Sequence, residues 1–171
     1  MKKIFLTILL CLLAINLSHS QSKYSGKIEA GFLKFGLTTV QVDPGPDWQG
    51  YNLDEEQNGL DLNFVNGFKF GNRFYAGAGV GYLNFEGING FAIFSDFEYL
   101  FANSRLTPLI NLRIGYNQIY NQYENGNGSG LGEVGLGLNY KISEQYSLYW
   151  KSGILVSQQS LIFPIRMGFR F

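Results

Sequence analysis

The acidic residues that could do chemistry in this chain are interleaved with basic residues at the same spacing. Asp96 and Glu98 stand two positions apart, so a β-strand would place both carboxylates on one face, where such a pair can act in acid–base chemistry. Bases recur on what would be the same faces, and we expect them to bind the carboxylates as ion pairs. The sequence therefore predicts a charge network and no catalytic residue. Its predicted members are Lys27, Glu29, Asp61, Lys69, Asp96, Glu98, Arg113, Glu133, Lys151, Arg166 and Arg170.

The residue types missing after position 20 exclude several kinds of active site. The chain has one cysteine, Cys11, and one histidine, His19, among its 171 residues. Residues 21–171 therefore cannot form a disulfide, a zinc or haem site built on Cys or His, or a His-dependent catalytic triad. The 13 Lys and Arg residues equal the 13 Asp and Glu residues, so there is no basic excess for nucleic acid. We expect no cofactor, no metal and no nucleic-acid partner.

Two other patterns could suggest ligand sites. Gly77, Gly79 and Gly81 superficially resemble a phosphate-binding loop, but a dinucleotide fingerprint opens a helix, whereas these glycines alternate within a predicted strand. We expect them to leave space for long Arg and Lys side chains. Residues 38–58 contain five acids, and hard cations bind carboxylate oxygens, so a calcium site is conceivable there. The spacing matches no known calcium loop, and exposed acidic loops are usually just solvated.

The first 20 residues have the pattern of a cleavable secretory signal peptide. Two lysines follow Met1, residues 4–17 form an apolar run too short for a comfortable membrane span, and small residues precede Gln21. The alternative, a retained membrane anchor, is disfavoured because no basic stop follows the run. We therefore predict a signal peptide at 1–20 and a single domain at 21–171.

Apolar residues after the signal recur at every second position, and no segment keeps a period of 3.6. In Gly59–Phe70, for example, Leu60, Leu62 and Phe64 alternate with polar residues. In the first strand the apolar residues change phase after Phe32, which predicts a β-bulge there. Eight strands are predicted, at 24–37, 59–70, 74–84, 91–101, 107–117, 130–140, 146–155 and 161–171.

The connections between these strands alternate in length. Those at 71–73, 102–106 and 141–145 are short, whereas those at 38–58 and 118–129 are long and rich in Gly and Asn. Eight strands of this length, with short turns at one end and longer loops at the other, are typical of membrane-spanning barrels. The predicted fold is all-β, an eight-stranded antiparallel up-and-down transmembrane β-barrel.

Aromatic residues indicate which face of the sheet points outward. They cluster beside the short turns, as expected for a girdle that places apolar rings in lipid and Tyr hydroxyls among head groups. We therefore expect the apolar face to contact lipid and the charged face to line the lumen. The alternative is a soluble periplasmic lipocalin-like binder with its apolar face inside. The girdle residues are Tyr24, Phe70, Phe74, Phe101, Tyr140, Tyr146 and Phe171.

The leader, the eight strands and the ending Ile165-Arg-Met-Gly-Phe-Arg-Phe171 together resemble the small outer-membrane β-barrel proteins, of the OmpA-like transmembrane-barrel or porin family. The resemblance implies a location in the cell outer membrane, with membrane lipid and the barrel-assembly machinery as partners. In that family an alternating C-terminal strand ending in Phe is an assembly signal, which implies this role for Ile165, Met167, Phe169 and Phe171. Enzymes among such barrels rely on a histidine that residues 21–171 lack, so we expect no enzyme.

Four hypotheses for function follow from the sequence. The first is a monomeric structural or interaction protein with a lumen plugged by the charge network, because eight strands enclose only enough space for side chains. Its four external loops, above all 38–58 and 118–129, could meet an external ligand or protein. The second is a narrow channel for small solutes or hydrophobic molecules. The third is an accessory barrel of a secretion or adhesion apparatus, and the fourth is the lipocalin-like binder.

Overall fold

In a computed structural model, residues 22–38, 58–120, 127–158 and 160–171 form a closed antiparallel β-barrel. Each strand pairs with the next one in sequence, and the last pairs with the first, so the sheet has no free edge. No helix in the described residues is long and apolar enough to cross a membrane. The eight strands of the described residues are β1 (Ser22–Thr38), β2 (Gly59–Phe70), β3 (Phe74–Phe85), β4 (Ile88–Leu100), β5 (Leu106–Tyr120), β6 (Asn127–Lys141), β7 (Ser147–Ser157) and β8 (Ser160–Arg170).

The number, order and pairing of the predicted strands are confirmed, but two predicted connections are shorter in the structure. Paired strand residues occupy much of the predicted loop at 118–129, because β5 and β6 continue to the pair Ile119 and Asn127. Between β3 and β4 only Glu86 and Gly87 remain unpaired, both with positive φ, as in the tight turns that match the twist of a hairpin. Polar residues at these strand ends interrupt the alternation of apolar and polar positions. For this reason the sequence pattern predicts strands that are shorter than those in the structure.

Side chains alternate between the lumen and the outer surface along the strands, apart from the register shift in β1 between Phe35 and Leu37. In β2, Leu60 and Leu62 are exposed on the outside, whereas Asp61 and Asn63 between them are buried inside the barrel. The pleat of a strand points successive side chains to opposite faces, so the period of two in the sequence becomes an apolar exterior and a polar interior. A lipocalin-type barrel has the opposite arrangement.

The β-bulge predicted after Phe32 is not there. Phe32 points outward and Leu33 is fully buried inside, so the alternation continues without a shift. Leu33 and Phe35 point inward because the lumen itself is apolar at this level, not because the strand changes phase after Phe32. The register against β8 shifts farther along, between Phe35 and Leu37.

The lumen has two layers of buried side chains. We call the end with the turns at 71–73, 101–105 and 142–146 the short-turn end, and the opposite end the loop end. Charged residues fill the middle of the barrel. Toward the loop end the interior is an apolar layer of Leu33, Phe35, Leu83, Phe85, Ala92, Phe94, Ile119, Leu131, Leu155 and Ile162.

Candidate functional site

The candidate site is a set of charged side chains buried in the middle of the lumen, at most 3% exposed. They come from every strand except β3, and each of these seven strands turns one charged residue or more inward at this level. Five are acids and five are bases, so their formal charges cancel. We call this set the lumen cluster; among the described residues it consists of Lys27, Glu29, Asp61, Asp96, Glu98, Arg113, Glu133, Lys151, Arg166 and Arg170.

Glu29 lies at the centre of the lumen cluster and is bound by three side chains from two other strands. Arg113 Nη2 donates to Glu29 Oε2 at 2.5 Å, and Tyr149 Oη donates to Glu29 Oε1 at 2.7 Å. Lys151 Nζ lies 2.8 Å from the same Oε1. These contacts join β1 to β5 and β7 across the lumen.

The carboxylates of Asp96 and Glu98, which the sequence places on one face of β4, share a base. Lys27 Nζ contacts Asp96 Oδ2 and donates to Glu98 Oε1 at 2.8 Å. Arg113 Nε donates to Asp96 Oδ1 at 3.1 Å, while Arg170 Nη2 binds Glu98 Oε2. Lys151 Nζ lies 3.8 Å from Asp96 Oδ1 and 3.5 Å from Glu98 Oε1, so each acid has three basic partners.

Arg166 holds a separate pair of acids on the other side of the lumen. Its Nε donates to Asp61 Oδ2 at 2.6 Å, and its Nη1 binds Glu133 Oε1. Asn63 Nδ2 also donates to Asp61 Oδ2, at 2.9 Å. Among the described residues, Arg166 is the one base within ion-pair distance of either carboxylate.

Of the eleven residues predicted for the charge network, the structure brings ten together and leaves Lys69 apart. Lys69 is half-buried at the short-turn end and makes no ion pair with any described residue. It stands on the same face of β2 as Asp61 but four pleats away, near the end of the strand.

Two tyrosines and a phenylalanine inside the lumen pack against the bases. Lys27 Nζ lies 4.3 Å from the ring centroid of Tyr75, and the Arg113 guanidinium lies 3.9 Å from that of Phe94. The Arg170 guanidinium lies 5.4 Å from Tyr75 and 5.3 Å from Tyr149. These three rings are not among the site residues predicted from the sequence, although their positions on the polar face of β3, β4 and β7 could have identified them.

The arrangement is suited to ion pairing and not to metal binding. Glu29, Asp96 and Glu98 bring carboxylate oxygens within 4.8 Å of one another, a spacing that could hold a cation. Lys27 and Lys151 already place ammonium groups among these three carboxylates. A metal ion would have to displace both, leaving two buried ammonium groups without partners, which is costly.

Comparison with known proteins identifies the architecture. No protein-family model and no curated protein sequence matches the chain. Among solved structures, Neisserial surface protein A superposes with a TM-score of 0.66 at 11% identity, over 88% of this chain and 97% of that one. The N-terminal β-barrel domain of Pseudomonas aeruginosa OprF superposes with a TM-score of 0.58 at 14% identity, over 88% of this chain and 100% of that one. This is the fold of the small outer-membrane β-barrels.

Barrels of this fold that span a membrane are expected to carry aromatic residues at both rims of the apolar band. At the short-turn end, Tyr24 and Phe101 are exposed on the outer surface. At the loop end, Phe91 packs edge-on against Tyr82 and Tyr120, with ring centroids 5.7 and 6.3 Å apart. Rings are therefore present at both ends of the outer apolar surface.

The four residues predicted as an assembly signal of the outer-membrane barrel lie on the last strand and just after it. Ile165, Met167 and Phe169 point outward, and Phe169 stacks between Tyr146 and Phe171. The backbone N–H and C=O of Phe171 both bond to Gly26, which extends the β1–β8 pairing by one residue. The strand therefore presents a continuous apolar face at the closure of the barrel.

Two predictions lie outside the described residues. The signal peptide falls on residues 1–20, and the external sites fall largely on residues 39–57 and 121–126.

Proposed function

We propose that the chain is an integral outer-membrane β-barrel with a structural or interaction role, a lumen that does not conduct, and loops that face the cell exterior. The observation that supports this most directly is the reversal of polarity across the sheet. The exterior carries large exposed apolar side chains on every strand, whereas the middle of the lumen holds the lumen cluster. In water this exterior would be an apolar patch of a size that soluble proteins do not expose.

Two consecutive barriers support a non-conducting lumen. A solute would have to pass the ion pairs of the lumen cluster and then the apolar layer at the loop end. The cavity between these two layers measures about 20 Å³, enough for about one water molecule. The lumen cluster also has no acid that is free of a base, which supports the proposal that the protein is not an enzyme.

Fractionation of cells that express the native protein tests the location. We expect recovery in the outer membrane, with faster migration of the unheated than of the heated sample on SDS gels, because a closed barrel resists the detergent until boiled. Recovery of the folded protein in the soluble periplasm would refute the proposal and favour a lipocalin-like binder.

Conductance in planar lipid bilayers tests the closed lumen. We expect no current steps from the purified protein under conditions in which a porin of known conductance inserts and conducts. Reproducible steps would instead favour the second hypothesis, a narrow channel.

We further propose that Ile165, Met167, Phe169 and Phe171 are read by the barrel-assembly machinery. The outward apolar face of β8 beside the closing strand pair supports this role. Phe171→Ala should lower the yield of folded barrel in cells while leaving refolding of the purified protein into detergent unchanged. The matched control is Phe163→Ala, on the same outward face of β8 but outside the signal. If both variants lowered the yield in cells equally, or if Phe171→Ala also impaired refolding in detergent, the effect would be explained by lost side-chain packing and not by recognition.

Export by a signal peptide, a monomeric state and contacts made by the loops complete the proposal. The sequence pattern of residues 1–20 supports cleavage after Ser20, and amino-terminal sequencing of the mature protein should begin at Gln21. Analytical ultracentrifugation in detergent should give one chain per particle. Epitope tags inserted within residues 39–57 or 121–126, between the strands, should be accessible on intact cells, and co-purification would reveal any secretion or adhesion partner.

A further inference from the structure

The short-turn end of the barrel carries a strong excess of positive charge. The segments at this end, residues 22–26, 67–75, 100–108 and 139–147, contain five bases and one acid, Glu144. The described segments at the opposite end, residues 34–38, 58–60, 84–90, 117–120, 127–131, 154–158 and 160–162, contain one base, Lys34, and one acid, Glu86. Among the described residues, the excess of positive charge therefore lies at the short-turn end, which we call the basic pole of the barrel. The five bases are Lys23, Lys69, Arg73, Arg105 and Lys141.

A cavity of about 70 Å³ lies among the turns at this basic pole. We call it the basal cavity. Lys23, Lys69 and Lys141 line its accessible side, whereas Arg170 and Ser147 line it from the buried side. The volume has room for several water molecules or for one tetrahedral oxyanion.

Two buried donors that line the basal cavity have no partner among the described residues. Arg170 uses Nη2 on Glu98 and Nη1 on Asn139, at 3.5 Å, and its Nε has no acceptor. Ser147 faces Arg170 directly in the β7–β8 ladder, and its hydroxyl also has no partner. Both residues are more than nine-tenths buried. Since buried polar groups are nearly always hydrogen-bonded, these two neighbouring donors are available to an acceptor in the basal cavity.

The lysines of the basal cavity are only partly neutralised by the protein. Lys141 Nζ donates to Glu144 Oε1 at 2.6 Å. The pKa of the exposed Glu144 carboxyl lies below its usual range, chiefly because of this hydrogen bond, with smaller contributions from the charges of Lys23 and Lys69. The three lysines that line the cavity therefore have one carboxylate, that of Glu144, to balance their charge. Two of their positive charges are left uncompensated among the described residues.

We propose that the basal cavity binds a phosphate or carboxylate group, whose oxygens accept hydrogen bonds from Arg170 Nε, Ser147 Oγ and the ammonium group of Lys69. Charge-assisted bonds of this type are the strong ones in anion recognition. The anion has two sources with this chemistry, a soluble anion or the head group of an anionic lipid in the adjacent leaflet. The anion site goes beyond the proposed function and can be tested on detergent-solubilised protein. The proposed anion site and the proposed function can therefore be refuted independently of each other.

Nuclear magnetic resonance on the mature protein, refolded in zwitterionic detergent and labelled with ¹⁵N, tests the site directly. Inorganic phosphate is added at constant ionic strength, with chloride as the balancing ion. We expect a saturable shift of the Arg170 Nε–H side-chain signal and of the Ser147 and Lys141 amides. The absence of a saturable shift at Arg170, with phosphate and also with the lipid below, would overturn the proposal.

Matched variants distinguish specific binding of phosphate in the basal cavity from general electrostatic attraction to the positively charged end of the barrel. Lys69→Gln with Lys141→Gln removes two charges that line the cavity, and we expect phosphate affinity to fall at least about tenfold. Arg73→Gln with Arg105→Gln removes two charges from the same end but outside the cavity, and we expect little change. Ser147→Ala should also weaken binding, without any change in charge. An equal loss in the two double variants, with none in Ser147→Ala, would refute the site.

Lipid nanodiscs distinguish the two sources of the anion. Without phosphate, discs of phosphatidylcholine are compared with discs that also contain phosphatidylglycerol. A shift of Arg170 Nε–H with phosphatidylglycerol would identify a lipid head group as the occupant. A shift that appears only when phosphate is added would identify a soluble anion.

Discussion

Replacing Arg166 by methionine should destabilise the barrel more than other single changes of similar size. Arg166 is the one base in the described residues that pairs with Asp61 and Glu133, and all three side chains are at most 3% exposed. Methionine keeps the length and apolar stem of arginine but leaves two buried carboxylates without a base. The variant therefore tests whether the ion pairs inside the lumen stabilise the fold.

The expected loss follows from the number of partners and their burial. Removing one partner from a buried ion pair costs about 3–5 kcal/mol, because the remaining charge stays desolvated. Screening by solvent cannot reduce this figure much, since all three groups are buried, and the loss of two pairs places Arg166→Met at the upper end of the range. An effect of about 4–5 kcal/mol corresponds to about a thousandfold or more in the unfolding equilibrium.

Urea unfolding of the protein in lipid vesicles, followed by tryptophan fluorescence, measures this loss. The control is the triple variant Arg166→Met, Asp61→Asn, Glu133→Gln, which removes the unpaired charges and should recover most of the stability. Met167→Leu, on the outer face next to Arg166, should change stability by less than about 0.5 kcal/mol. A loss below about 1 kcal/mol for Arg166→Met, with no gain in the triple variant, would show that these carboxylates are hydrated in the folded barrel.

Three further substitutions test other parts of the structure by the same unfolding assay. Leu136→Arg, on the outer face, should cost about 2–4 kcal/mol in lipid if it lies near the midplane, and a harmless result would argue against an outward apolar face. Gly168→Ala should cost about 1–3 kcal/mol, because its Cβ would meet the Tyr149 ring inside the lumen; an unchanged midpoint would mean that the ring can move aside. Tyr149→Phe should cost about 1.5–3 kcal/mol through the lost hydrogen bond to Glu29, and an effect near zero would indicate that water replaces the hydroxyl.

The strand order and the outward apolar face were predictable because a single local rule, alternation with a period of two, governs every strand. The same rule placed the charged residues on the inner face. What it could not give is which acid meets which base, because those contacts cross the lumen between strands far apart in sequence. Lys27 and Asp96, for example, are separated by 69 positions.

The apolar layer at the loop end was missed for a related reason. Leu33, Phe94 and Leu155 stand on the face that is polar elsewhere in their strands, so the sequence shows apolar residues on both faces there. Periodicity cannot distinguish this from a change of phase, which is why a bulge was predicted after Phe32. The difference depends on the level of each residue along the barrel axis, which only the closed sheet defines.

The ion pairs across the lumen also constrain how the barrel can enter a membrane. Lys27 on β1 meets acids on β4, and Glu29 on β1 meets bases on β5 and β7, so these partners come together only when the sheet is curled and nearly shut. A half-open sheet surrounded by lipid tails would expose both unpaired charges and unpaired strand edges to hydrocarbon, where each is costly. The sheet must therefore curl while it inserts into the bilayer. The charges that form ion pairs in the closed barrel make a flat intermediate within the membrane energetically unfavourable.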